Sequence, residues 1–358
     1  MQEQLKPQES IIYGSQPAPE QLVSSVSGMP EYGLFDGIVE SLSQELYDYR
    51  TPMDKPASKF AKHFDFKQFQ FVVIHTPRYV IALALADIRY VGSAFCYLYD
   101  IRRDEMTQST WLRPLSKGLK MTSSPMQGVS FVGNRGEFLK IEIIDGLWHV
   151  NLETMQVKAD VKLVPAALSL PIAVCTPCGY SGWSYTQKHN GLKVVGQLDV
   201  QFEPQPLNQA LAAYDFTAGY LRRETSWRWA SISAHIDEGI MGLNLAAGVN
   251  ETGATENVFW INGERHLLGP VQFDFSRYGN CGGMRQIERP WHLHSADGKI
   301  DLHFRPVNRR CDKLNLWFLQ NNFRQYLGHF SGHIIDNQNR HYSLSQVLGL
   351  TEDHYSRW

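Results

Sequence analysis

From about residue 60 to the end of the chain, hydrophobic and polar residues alternate with a period of two, the beat of half-buried strands. The stretch "EFLKIEIIDGLWHVNLE" reads as two strands about Asp145-Gly146, a pair suited to the positive φ angles of a type I′ hairpin turn. "NVFWINGERHLLG" repeats the device at Asn262-Gly263, and "WHLHSADGKIDLHF" at Asp297-Gly298. Longer loops connect the strands of "FQFVVIHTPRYVIALALAD", "WRWASISAHIDEGIMGLNLAAG" and "HFSGHIIDNQNRHYSLSQ". No helical pattern separates these strands as a parallel sheet requires, and so many strands dispose of their edges by closing or stacking. The expected fold is all-β, with two antiparallel barrels or sandwiches in tandem.

The first 59 residues form a separate segment rich in Pro, Gly and Ser. Within it, "LFDGIVESLSQELYDYR" carries Leu34, Phe35, Ile38, Val39, Leu42 and Leu46 at helical spacing, which predicts one amphipathic helix covering a sheet. The proline-bearing stretch "FEPQPLNQA" is the expected linker, dividing the strands into a first domain over 60–205 and a second over 206–358.

A chain of 358 residues is long enough to bury a sizeable core without disulfides or metals. With 34 Lys+Arg against 36 Asp+Glu, it has no field to hold a polyanion, so nucleic acid is not an expected partner. No basic n-region leads into an apolar stretch and no window approaches a membrane span, which predicts a soluble cytoplasmic protein. Five scattered cysteines, Cys96, Cys175, Cys178, Cys281 and Cys311, are unlike a disulfide framework and are expected to be reduced.

Candidate chemistry begins at "RRETSWRWASISAH", residues 222–235, where neither face of the strand is plainly apolar or plainly wet. One face carries Trp227 and Trp229 with hydroxyls, and the other Arg228 with alanines and Ile232. The partner strand "IMGLNLAAGVN" has a core face and a small, amide-bearing face with Gly242 and Asn244. A ligand-holding barrel needs such a mixed wall, with aromatic area for affinity and a few polar groups for orientation. The same letters fit a solvent-facing Arg223 or Arg228 with tryptophans capping a core. Among the carboxylates, Asp215, Glu256, Glu352 and Asp353 stand amid aromatics; one walled off from water keeps its proton and can donate it. The catalytic candidates are Asp215 and Glu256, and the substrate-binding candidates are Trp227, Arg228, Trp229, Asn244, Asn257 and Trp260.

In the third hairpin a two-residue turn sets His294 opposite Asp301 and His292 opposite His303, a spacing that β-sheet zinc sites use. A His-rich outer face gives the same letters, and the sequence offers no fourth ligand, so no metal or other cofactor is assigned. "CTPC" at 175–178 lacks the setting of a redox motif or a second Cys pair for a zinc ribbon, and reads as buried thiols. "GYSGW" does not fit a nucleophile elbow, nor "GNCGG" a phosphate loop.

Through "GWSYTQK", "YDFTAGYLRRETSWRWAS", "GLNLAAGVNETGATENVFW", "FRQYLGHFSG" and "EDHYSRW", the chain resembles an uncharacterised bacterial family, domain-of-unknown-function family 2804, from about residue 30 onward. "SWRWASISAHIDEGIMGL" is also similar to a W-x-W, strand, turn, strand unit of the AttH-like and carotenoid 1,2-hydratase proteins. That resemblance implies two lipocalin-like (calycin) barrels in tandem. It also implies an acidic residue just ahead of the unit that protonates an alkene, and the nearest counterpart is Asp215. Two functions are carried forward, with zinc-assisted hydrolysis at a site formed by His292, His294 and His303 as a third reading. One is a cofactor-independent lyase, hydratase or isomerase acting on an isoprenoid- or acyl-like molecule in a barrel cavity. The other is a non-catalytic carrier of a lipophilic small molecule.

Overall fold

A computed structural model describes residues 14–275, 290–317 and 319–358. "GNCGG" and Cys281 lie outside the described residues.

Two curled, almost wholly antiparallel sheets make up the chain. The first runs in space from Glu105–Pro114 through Val91–Asp100, Tyr79–Asp87 and Phe66–His75 to Leu211–Tyr220. It continues through Gly182–Val200, Val157–Val164, Leu147–Glu153 and Phe138–Ile144 to Gly128–Gly133. The second runs from Glu264–Leu267 through Val258–Ile261, Gly239–Ala247, Glu224–Ile236 and His341–Arg357. It ends through Leu319–Ile335, Ile300–Leu316, Trp291–Ser295 and Val271–Asp274. The all-β architecture is as expected. Leu211–Tyr220, on the far side of the expected linker, pairs within the first sheet, and the chain crosses to the second over 221–223.

Two hairpins have the expected turn, with Asp145 and Gly146 at φ 50° and 77° and Asn262 and Gly263 at 51° and 90°. The third keeps its expected register, His294 against Asp301 and His292 against His303, by a different turn: Gly298 alone has a positive φ, and its N–H donates to Ser295 O at 3.0 Å.

The helix expected over residues 34–50 does not form. Gly33–Asp36 is a strand pairing with Ile172–Cys178, and a 3-10 turn follows at Gln44–Leu46. Gly37 at φ 118° and Ser43 in the left-handed region interrupt any helical run. Leu34, Phe35, Val39 and Leu42 are buried nonetheless, so the segment covers the sheet as an irregular strap. The described α-helix is Lys59–Asp65, capped by Ser58, whose hydroxyl accepts from Ala61 N–H at 3.1 Å.

Each sheet encloses its own core. Val157–Val164 alternates between buried and exposed positions, as a one-sided strand must. Phe66–His75 and Tyr79–Asp87 are buried almost throughout because both of their faces are covered. Val72 and Ile74 pack in the first core, whereas Val73, Val80 and Ala82 meet Trp229, Leu327 and Leu350 of the second sheet. Glu224–Ile236 is covered on both sides in the same way, with Ala230 and Ile232 in the second core and Trp229 against the first sheet.

A register shift between His189 and Leu192 presses Asn190 against the second sheet. Its Nδ2 lies 2.8 Å from Ser231 Oγ, 3.1 Å from Ile232 O and 2.7 Å from Leu243 O, and Gly191 N–H donates to Ser233 Oγ at 3.0 Å. The small face at Gly242 therefore receives the neighbouring sheet.

Two buried histidines near this joint tie stability to pH. Burial, with Arg265 adding, holds His189 down to about 3, and burial holds His75 down to about 4. Both stay neutral when folded and protonate near 6.5 when unfolded, so their stabilisation is present above that value and is lost as pH falls toward 4. Urea midpoints are expected to drop between pH 7 and 5, with a linkage slope approaching about two protons. An unchanged midpoint would show that neither ring is buried neutral.

Candidate functional site

A cavity of about 570 Å³ opens between the two sheets. It is walled by residues of both sheets, including Leu85, Ala94 and Trp111 of the first core, whereas the expectation was a cavity inside one barrel. The strands covered on both sides create it, since their second faces meet across the joint and do not fill the space between them. From the first sheet come Phe69, Phe71, Phe95, Lys188, Asp215 and Thr217; Trp227, Trp229, Glu256, Arg310, Phe323 and His354 come from the second part of the chain.

Its chemical centre is a cation between two carboxylates. Lys188 Nζ is 3.0 Å from Asp215 Oδ2 and 2.8 Å from Glu256 Oε2, and 5.6 Å from the centre of the Trp229 ring. Lys188 and Asp215 are cross-strand partners, so the antiparallel register sets this pair on one face. Thr217 Oγ1 donates to Asp215 Oδ1 at 3.0 Å, and Asn250 Nδ2 to Glu256 Oε1 at 3.1 Å. Burial works against the Lys188 charge, but the two carboxylates outweigh it and raise its pKa. Burial, aided by Glu256 and opposed by Lys188, raises the pKa of Asp215. One ammonium cannot neutralise two desolvated carboxylates, so the cluster favours an extra proton. The Asp215 side chain retains 22 % of its surface against 4 % for Glu256, which makes it the carboxyl group open to a ligand.

The family described as "domain of unknown function (DUF2804)" matches residues 43–358. This chain belongs to the DUF2804 family. Among solved structures, kievitone hydratase from Nectria haematococca is 15 % identical with a TM-score of 0.46, over 82 % of this chain and 89 % of that one. A putative AttH from Nitrosomonas europaea is 12 % identical with a TM-score of 0.39, over 86 % and 96 %. CghA is 6 % identical with a TM-score of 0.50, over 89 % and 97 %. At these identities the likeness is one of fold alone. The curated proteins contain no match.

In this DUF2804 chain, Asp215, Glu256, Trp227 and Trp229 come together as cavity wall. The other sequence candidates do not. Arg228 projects from the opposite face of its strand toward Asp353, 3.5 Å away, because successive side chains on a strand alternate. Asn244 is a support, accepting from Trp229 Nε1 at 2.7 Å and donating to Glu256 O at 2.7 Å. Asn257 pins backbone, accepting from Ala246 N–H and donating to Gly269 O. Trp260 is buried against His189 and donates to Leu170 O.

Lys188, Arg310 and His354 are among the wall residues that sequence reasoning missed. His354 Nδ1 is 3.2 Å from Glu352 Oε1 and its Nε2 is 2.9 Å from Ser356 Oγ, with the ring centre 4.0 Å from that of Trp227. The only sequence signal was the same-face spacing of Glu352, His354 and Ser356 in "EDHYS".

His292, His294 and His303 gather on the outer face of the second sheet, away from the cavity. Their rings stack at 4.6 and 4.7 Å, and two carboxylates join them: Asp301 Oδ1 is 2.8 Å from His292 Nε2, and Asp274 Oδ2 is 3.0 Å from His294 Nε2. Donor atoms of His292, Asp301 and His303 lie within 4.8 Å of one another, as do those of Asp274, His292 and His294, so either set could hold a metal ion. Cys175 and Cys178 are free and buried. Among the described residues, no helix is long and apolar enough to cross a membrane.

Proposed function

We propose that this protein is a cofactor-independent lyase, hydratase or isomerase that protonates a largely apolar small molecule, with Asp215 as the general acid. The observation that carries this reading is the Asp215–Lys188–Glu256 cluster in the wall of the cavity between the sheets. Ligand sites are roughly 300–1,000 Å³ and combine apolar and aromatic area with polar groups that orient the ligand, and this cavity has that size and both kinds of lining. Burial, aided by Glu256, which shares the Lys188 ammonium, favours the protonated form of Asp215 beyond that of an ordinary aspartate. After transfer, the new Asp215 carboxylate remains beside the ammonium, which stabilises it. Lys188 lies over the Trp229 ring, so Trp227 is the indole better placed to face positive charge developing on a substrate.

Asp215→Asn leaves Lys188 with Glu256 as a balanced pair, so the variant is expected to fold. The test incubates wild type and D215N with a small-molecule extract in H2O and in D2O and follows masses. Wild type is expected to alter at least one compound by gain or loss of water or by uptake of deuterium. D215N is expected to do so at least about 100-fold more slowly, the lower end of what a general acid supplies. A lipophilic passenger retained by both proteins, with no compound changed by either, would instead make this a carrier.

A further inference from the structure

We propose that the cavity recognises an apolar molecule bearing a carboxylate, and that Arg310 is the residue that binds that carboxylate. Arg310 stands on Ile300–Leu316 and is buried, with its guanidinium carbon 3.9 Å from the centre of the Phe95 ring and 5.0 Å from that of Phe323. Both rings line the cavity. Its Nε donates to the neutral Gln108 Oε1 at 3.1 Å, and its ion-pair contact is 3.8 Å from Nη2 to Asp312 Oδ2, on a side chain that is 57 % exposed. The other buried charges in the wall are matched more closely. Lys188 has two carboxylates at 2.8 and 3.0 Å, and Glu352 lies 3.2 Å from His354.

A desolvated guanidinium with so loose a partner is costly unless another group completes its pairing. Burial accordingly works against its charged form and lowers its pKa. The two rings fix the plane of the fork, so a ligand carboxylate meets a preorganised bidentate donor. Lys188 cannot take that role, being already outnumbered by Asp215 and Glu256. Binding at Arg310 would place the acid end of the ligand on the second sheet and leave its apolar body among Phe69, Phe71 and Phe323. This inference rests on the cavity being the ligand site, as proposed above, and not on the chemistry of Asp215.

The experiment is calorimetric titration of the full chain with decanoate and with decan-1-ol, which share an apolar body and differ in charge. Wild type is expected to prefer decanoate by about tenfold or more, the ratio supplied by one charge-assisted pairing. R310Q is expected to lose the preference while keeping its affinity for decanol, and R310K, with a charge but no fork, to keep part of it. Folding of each variant is checked by thermal melting, and R310K serves if R310Q does not fold. Equal affinity for the two ligands, a preference for decanol, or no binding of either by wild type overturns the proposal, as does an undiminished preference in a folded variant. A decanoate preference without turnover in the extract experiment would keep this inference and remove the catalytic reading.

Discussion

Lys188→Met is expected to destabilise the protein by about 3–5 kcal/mol, the range for leaving a buried charge without its partner. Two desolvated carboxylates, Asp215 and Glu256, would face each other with no cation between them. The triple variant K188M/D215N/E256Q removes the orphaned charges along with the lysine and should recover much of that loss. Urea denaturation of the two variants beside wild type measures both effects. If K188M were as stable as wild type, the three groups would not form one electrostatic unit.

Gly242→Val is the second large effect expected, about 1–3 kcal/mol from overpacking at a backbone contact. A Cβ at Gly242 would come within 2.6 Å of the Asn190 carbonyl carbon and oxygen, backbone atoms that cannot rotate away. The strain falls on the joint between the sheets, so the cavity should loosen before either core does. Limited proteolysis is expected to cut near 221–223 faster in G242V than in wild type. Unchanged stability and unchanged cleavage would mean that Asn190 does not hold the sheets together.

Much of the local structure was legible in the residues. Asp145-Gly146 and Asn262-Gly263 specify their turns by φ preference alone. The register of the His292 hairpin, read from a two-residue turn, held although the turn itself differed, because it keeps Trp291, Leu293, Leu302 and Phe304 on one buried face. The helical spacing at 34–50 misled because apolar residues buried by a strap can recur at three and four positions without a helix, and Gly37 and Ser43 take backbone angles that a helix cannot use.

The site was half legible for a physical reason. Asp215, Glu256, Trp227 and Trp229 stood out as acids and indoles amid apolar residues. Lys188 did not, because in "WSYTQKHN" every neighbour is polar or aromatic and nothing marks the charge as buried; residues 183–190 are in fact covered on both faces. Alternation also cannot distinguish a wall facing a ligand from a wall facing another sheet. That ambiguity placed Arg228 and Asn244 in the ligand wall, when one faces Asp353 and the other braces Trp229. Arg310 supplies the guanidinium that Arg228 was expected to bring.

Asp215 is expected to keep a proton more tightly than an ordinary aspartate while it is exposed to the cavity. A carbon-13 NMR titration of its side-chain carboxyl in the folded protein tests this directly, without any substrate. The midpoint is expected above the usual aspartate value of 3.8 and should move when Glu256 is replaced by glutamine. A midpoint at or below 3.8 would mean that Lys188 holds Asp215 as a plain salt bridge, and the cavity would have lost its acid.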